Sequence, residues 1–186
     1  MMRMTPLPWL RAEVVPLLAL VLVLVGALIA VNQYGQLRLD RQHTETARYL
    51  AEFEYGPVAA AWRCLSETWR AEWPRQEALL ALVAAEPADP PTAALYDYRR
   101  FVLETVDEHR LDEAIKTVFR YYRRLALCIR MGGCDQATAI DHLGEPAWRF
   151  RNQHYLFLTE HLTAQEVDQV FEILTPRPAL HARAGS

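Results

Sequence analysis

The sequence predicts an all-α protein, a single N-terminal transmembrane helix followed by a small helical bundle, and three observations predict it. The 18 residues 14–31 carry no charge, and a bilayer core of about 30 Å asks for about 20 apolar residues at a rise of about 1.5 Å each. Beyond them no stretch alternates apolar and polar residues with period two, whereas the 3.6-residue period recurs in nearly every window. The third is a seam. Leu111, Ile115, Val118, Tyr122, Leu125 and Ile129 step by four, three, four, three and four residues, which keeps one helix face apolar.

Taken in order, residues 1–13 read as a tail and 14–34 as the membrane helix. Trp9 and Tyr34 bracket it at the two interfaces, where an amphipathic ring keeps one edge wet, and Pro16 falls in the first turn, where a missing N–H costs little. A cleaved signal peptide is the competing reading. It needs an apolar region of roughly 7 to 15 residues before a small-x-small site, and Ala27-Leu28-Ile29-Ala30 does not supply that spacing, so an uncleaved anchor is preferred. Residues 35–56 read as a polar helical stalk with Leu37, Asp40, Thr44, Ala47 and Leu50 along one side, stopped by Gly56-Pro57.

The helical domain is expected over 57–175. A helix over 58–73 carries Trp62, Leu65, Trp69 and Trp73 on one face, and Pro74 opens another over 75–86. Pro87, Pro90 and Pro91 make residues 87–91 a Pro-rich hinge. Thr92 caps a helix with the stripe Leu95, Tyr98, Val102 and Val106. The seam helix follows and ends at Gly132-Gly133. Asp135 caps a short helix to His142, Gly144-Glu145-Pro146 breaks the chain, and an aromatic helix over 147–161 carries Trp148, Phe150, Tyr155 and Phe157. Thr163-Ala164-Gln165-Glu166 is a capping box for a last helix through Leu174. Residues 176–186 read as a disordered tail.

Several chemistries need residue patterns that are missing. The 186 residues are 52% hydrophobic with a mean hydropathy of -0.08. Their single lysine, Lys116, follows Ile115, so no Gly-Lys-Ser/Thr phosphate loop exists. The seven glycines form no G-x-G-x-x-G, and Leu65-Ser66-Glu67 is no nucleophile elbow. No catalytic residue and no cofactor is therefore expected. With Arg3, Arg11 and Glu13 set aside, 18 basic and 22 acidic residues remain from Asn32 onward, a net charge of -4, which gives no general attraction to nucleic acid. Arginine outnumbers lysine 19 to one, a bias of composition in which arginine density alone marks no site.

Four groups are candidate sites. Lys116, Arg120, Arg123, Arg124 and Arg130 form a basic stripe, and such clusters bind anionic head groups at about 1 kcal/mol per residue near a surface. Asp112 and Glu113 precede them in the order the helix dipole favours, so a solvated face is the preferred reading. His154 and His161 share a helix face, but no H-E-x-x-H or Glu-x-x-His pair is present, so they read as surface or capping histidines and no metal is expected. Cys64, Cys128 and Cys134 are odd in number, and the last two are too far apart for a C-x-x-C motif, so inert buried thiols in a reducing compartment are expected, with a Cys128–Cys134 bridge across Gly132-Gly133 as the alternative under the inverse topology. Trp62, Trp69 and Trp73 either fill the core, the preferred reading, or anchor another protein. Some surplus apolar surface is expected on so small a domain, and a surplus wants a partner.

The stretch from Tyr121-Tyr122-Arg123-Arg124-Leu125-Ala126-Leu127-Cys128-Ile129-Arg130-Met131-Gly132-Gly133 through Ile140-Asp141-His142-Leu143-Gly144 to Trp148-Arg149-Phe150 resembles a group of uncharacterised bacterial single-pass membrane proteins, in which an anchor precedes a short helical domain of unknown function. The likeness covers the last third of the chain and the anchor. It implies the same fold and brings no catalytic residues.

The expectation is a membrane-anchored, non-enzymatic protein-interaction module, an accessory subunit or regulator of a complex in a bacterial inner membrane. Its partners would be the lipid bilayer and another membrane protein. Arg38, Arg41 and Arg48 after the span, against Arg3, Arg11 and the amino terminus before it, together with the odd number of cysteines, lean the soluble domain towards the cytoplasm. The alternative is an extracytoplasmic ligand-sensing helical domain, which requires the inverse topology and a pocket.

Overall fold

The computed structural model describes residues 8–85 and 93–175, with side chains from Leu18 onward. The tail 1–7, the side chains of Trp9 and Pro16, the hinge with Thr92, and residues 176–186 lie outside the described residues. Those described form six helices and no strand: α1 (Pro8–Tyr55), α2 (Pro57–Ala85), α3 (Ala93–Glu108), α4 (Asp112–Arg130), α5 (Gln136–His161) and α6 (Ala164–Glu172). They divide into two compact units, Met1–Arg41 and Gln42–Ser186.

In the first unit every described side chain from Leu18 to Arg41 is exposed, Leu22, Leu28 and Val31 by about 70% each. Among the described residues α1 alone is long and apolar enough to cross a membrane, with a mean hydropathy of 2.0. Exposed apolar surface on this scale is unfavourable in water.

The second unit is built around α4. All six seam residues are buried, and Ile115, Val118, Tyr122 and Leu125 are fully so. Helix α2 packs on α4 and α3, α5 on α3, α4 and α6, and α6 on α4. The end of α1 belongs to this unit. Tyr121 Oη donates to the Tyr49 carbonyl at 3.0 Å, the Asp135 amide donates to Thr46 Oγ1 at 2.8 Å, and Gln42 Nε2 donates to the Gly132 carbonyl at 2.8 Å. Residues 42–55 are therefore part of the bundle, although their sequence reads as stalk. The inward face runs through Thr46, Tyr49, Leu50 and Phe53, whereas Thr44 and Ala47, which the sequence places on one side with Leu50, are exposed. Polar Gln42 and Thr46 disguise it because their work is to satisfy backbone groups at the α4–α5 turn.

Two expected breaks are absent. Helix α2 runs through Pro74 and α5 through Pro146, although each proline forfeits the bond to the carbonyl four residues back. Burial on both sides holds each helix together: Leu65, Trp69 and Gln76 in α2, and Leu143, Ala147 and Phe150 in α5. The α3 stripe is rotated at its start, with Ala94, Phe101, Val102, Thr105 and Val106 buried and Leu95 exposed. The caps follow the sequence. Asp135 accepts from the Thr138 amide at 2.9 Å, and Thr163 and Glu166 form a reciprocal capping box. Hydrogen bonds from Thr138 and from Thr163 hold the Asp135 and Glu166 carboxyls below the usual carboxylate range. Helix α6 ends at Glu172, two residues short of the buried Leu174.

The cysteine expectation is corrected: Cys128 and Cys134 are joined by a disulfide, and Cys64 is free and exposed. A C-x-x-C spacing is unnecessary because the chain folds back past the end of α4. Gly132 has φ 67°, a left-handed conformation open to glycine. The Gly133 and Cys134 amides then both donate to the Cys128 carbonyl, at 2.8 and 3.3 Å. That turn brings the two Cα atoms to 5.3 Å, a separation that a disulfide spans.

Candidate functional site

Helices α2 and α5 are the walls of a cleft of about 890 Å³ in the second unit. From α2 come Trp62, Ser66, Trp69, Arg70, Trp73, Gln76 and Leu80, spaced by three or four residues so that they share a face, with Arg70 beside Trp69. Helix α5 supplies Trp148, Arg149, Asn152 and Gln153, and α3 supplies Tyr98.

The three predicted tryptophans divide their duties. Trp69 is 2% exposed and its indole N–H donates to His154 Nε2 at 2.8 Å. Since an indole nitrogen only donates, His154 carries its proton on Nδ1, which donates to the Phe150 carbonyl at 2.9 Å. Burial pushes the His154 pKa down to about 4, so the ring is neutral. This corrects the reading of His154 as a surface or capping histidine: it lies on the inward face of α5 with Phe150, Phe157 and Leu158. His161 packs edge-on against Phe157. Trp62 is half-buried between Phe53 and Phe150, with ring centroids 5.4 and 6.2 Å away. Trp73 and Trp148, in contrast, are 49% and 51% exposed.

The polar groups of the cleft are mostly uncharged. Gln76 is only 3% exposed; its Nε2 donates to Tyr98 Oη at 3.2 Å, and its buried Oε1 has no partner among the described residues. Whichever way the amide is turned, only one end meets Tyr98. An unpaired buried polar group costs about 1–3 kcal/mol. Arg149 is ion-paired with Glu145, whereas Arg70 is exposed and without a partner among the described residues. Among the described residues no carboxylate lines the cleft.

The basic stripe is largely matched within the protein. Lys116 meets Asp112 at 3.2 Å and Glu113 at 3.5 Å, Arg120 meets Glu113 at 3.7 Å, Arg124 pairs with Glu52, and Arg130 donates to the Gln169 carbonyl. The hydrogen bond between Lys116 and Asp112 raises the first pKa and lowers the second. Arg123 and Arg130 line a smaller cleft, of about 250 Å³, that also contains Glu166. Stripe and tryptophan cleft share no residue. Among the described residues no cluster of three or more His, Cys, Asp or Glu could hold a metal ion.

The sequence singles out Trp62, Trp69 and Trp73 as core or as an anchor for another protein, and does not mark Arg70, Gln76, Tyr98, Trp148, Arg149, Asn152 or Gln153 as part of a cleft. Trp148 was visible only as one of an aromatic run. Its place opposite Phe150, His154 and Phe157 on the α5 wheel was the available signal. No family model matches the chain, and no curated protein or solved structure matches it.

Proposed function

We propose that the protein is a membrane-anchored, non-enzymatic ligand-binding domain, held outside the cytoplasm by a single span in a bacterial inner membrane. The observation that carries this reading is the tryptophan cleft with its half-exposed indoles. Its volume lies in the range of about 300–1,000 Å³ that small-molecule sites occupy. The Cys128–Cys134 disulfide supports the side of the membrane, because such bonds persist in oxidising compartments. It also removes the ground for a reducing compartment that three free thiols offered.

The test is a thermal-shift screen of the full chain in lipid nanodiscs against a library of small polar and amphipathic molecules. A ligand that raises the Tm of the parent protein and not of Trp148→Ala is the expected result. A library without such a ligand would overturn the reading. The protein-interaction module is a second reading, favoured by Leu127 and Met131, which lie four residues apart at the end of α4 and are 56% and 76% exposed.

A further inference from the structure

The charge and hydrogen-bonding character of the cleft narrow the class of ligand. We propose that it binds a saccharide bearing a carboxylate, with sugar rings stacked on Trp73 and Trp148 and the acid group on Arg70. This rests on the ligand-binding reading above and deepens it. Two indoles from different helices, Trp73 and Trp148, line the cleft while remaining half in water. A pyranose has the matching surface, a C–H face to lay on an indole and a rim of hydroxyls that stays solvated, so an open cleft is enough to hold it. A wholly apolar ligand would instead leave Ser66, Gln76, Asn152 and Gln153 facing hydrocarbon.

Those four side chains carry donors and acceptors together. A hydroxyl is both at one atom, and it therefore pairs with Ser66 and with either end of the Asn152 or Gln153 amide. Charge decides the remaining feature. Aromatic faces alone would also accept an ammonium group, but among the described residues no carboxylate lines this cleft to neutralise one and Arg70 has no partner. An anion is the group that completes it, and a guanidinium takes a carboxylate through two parallel hydrogen bonds.

The experiment uses the full chain in nanodiscs, labelled with a fluorophore at the exposed Cys64 thiol, which is not part of the cleft lining, on an array of carboxylated, sulfated and neutral oligosaccharides. The expected result is binding to the carboxylated glycans. Trp148→Ala should weaken it by about tenfold or more, and Arg70→Gln should abolish the preference for carboxylated over neutral glycans. Both side chains are exposed, and unchanged thermal melts would show that the fold is kept. Equal binding of neutral glycans by the parent would overturn the assignment of Arg70, and stronger binding of sulfated glycans would overturn the carboxylate. A blank array overturns the saccharide. If phenylacetate then raises the Tm in a Trp148-dependent way, the ligand-binding reading survives with a different class of ligand; if the thermal-shift library is blank as well, both fall.

Discussion

His154 and Trp69 behave as one unit behind the cleft, because the indole N–H has no other acceptor and the imidazole must stay neutral to receive it. The folded-state pKa of His154 is pushed down to about 4 by burial, against about 6.5 in an unfolded chain. As pH falls the unfolded state takes up the proton first. The stability contributed by the neutral ring is thus complete above pH of about 6.5 and is lost progressively between about 6.5 and 4, by about 2 kcal/mol at pH 5. Urea melts at pH 7.5 and pH 5 measure it. In His154→Gln the side-chain oxygen still accepts from Trp69, and this dependence should flatten; an unchanged slope would show that another group titrates. Asp135 and Glu166 do not compete in this window, because their carboxyls are shifted downward and their contributions fade at lower pH. At the same scale, Gln76 illustrates what sequence conceals. A single glutamine on a helix has no period, and only the arrival of Tyr98 from α3 shows that one end of its amide is left over.

Among the elements, α4 is where stability is concentrated. Ile115→Asp or Leu125→Asp places an unpaired charge at a fully buried position, which costs several kcal/mol against a total of about 5–15, so both variants should be unfolded. Arg120→Ala, on the solvated face with Glu113 3.7 Å away, should change stability by less than about 0.5 kcal/mol. Equal losses from both sets in urea melts would mean that the faces are misassigned. A second expectation follows from the end of α1. A fragment beginning at Gln42 should melt as the full-length bundle does, whereas one beginning at Gly56 loses Thr46 and Tyr49, leaves the Asp135 amide and the Tyr121 hydroxyl without their acceptors, and should melt lower by several degrees or fail to fold. The α4 seam was legible because a repeating apolar face needs only local sequence. The proline breaks misled for the complementary reason: the rule at Pro74 and Pro146 is local, and the burial that overrides it comes from other helices. The cleft was half legible, since Trp62, Trp69 and Trp73 announce one wall while the second wall lies on α5, more than 70 residues further on, and no period within α2 encodes which helix docks there.

For the molecule as a whole, the proposed function requires the bundle to lie outside the cytoplasm. The positive-charge count differs by one residue between the flanks, Arg38, Arg41 and Arg48 against Arg3 and Arg11, and Arg48 is already paired with Glu45 at 2.9 Å. The Cys128–Cys134 bond weighs on the other side. Closing so short a loop restricts the unfolded chain enough to contribute about 2 kcal/mol in the entropic account, a contribution that cytosolic reductants would remove. Reduction should accordingly lower the stability of the bundle by about that amount in paired urea melts without unfolding it. The topology itself is expected to be N-terminus in, bundle out. Alkaline phosphatase fused after Ser186 should be active and green fluorescent protein at the same place dark, and a membrane-impermeant maleimide added to intact cells should label the exposed Cys64 once and no other thiol. Fluorescence together with protection of Cys64 would put the bundle among reducing agents, and a Cys128–Cys134 bond found oxidised there would need a catalytic or sensing explanation instead of a structural one.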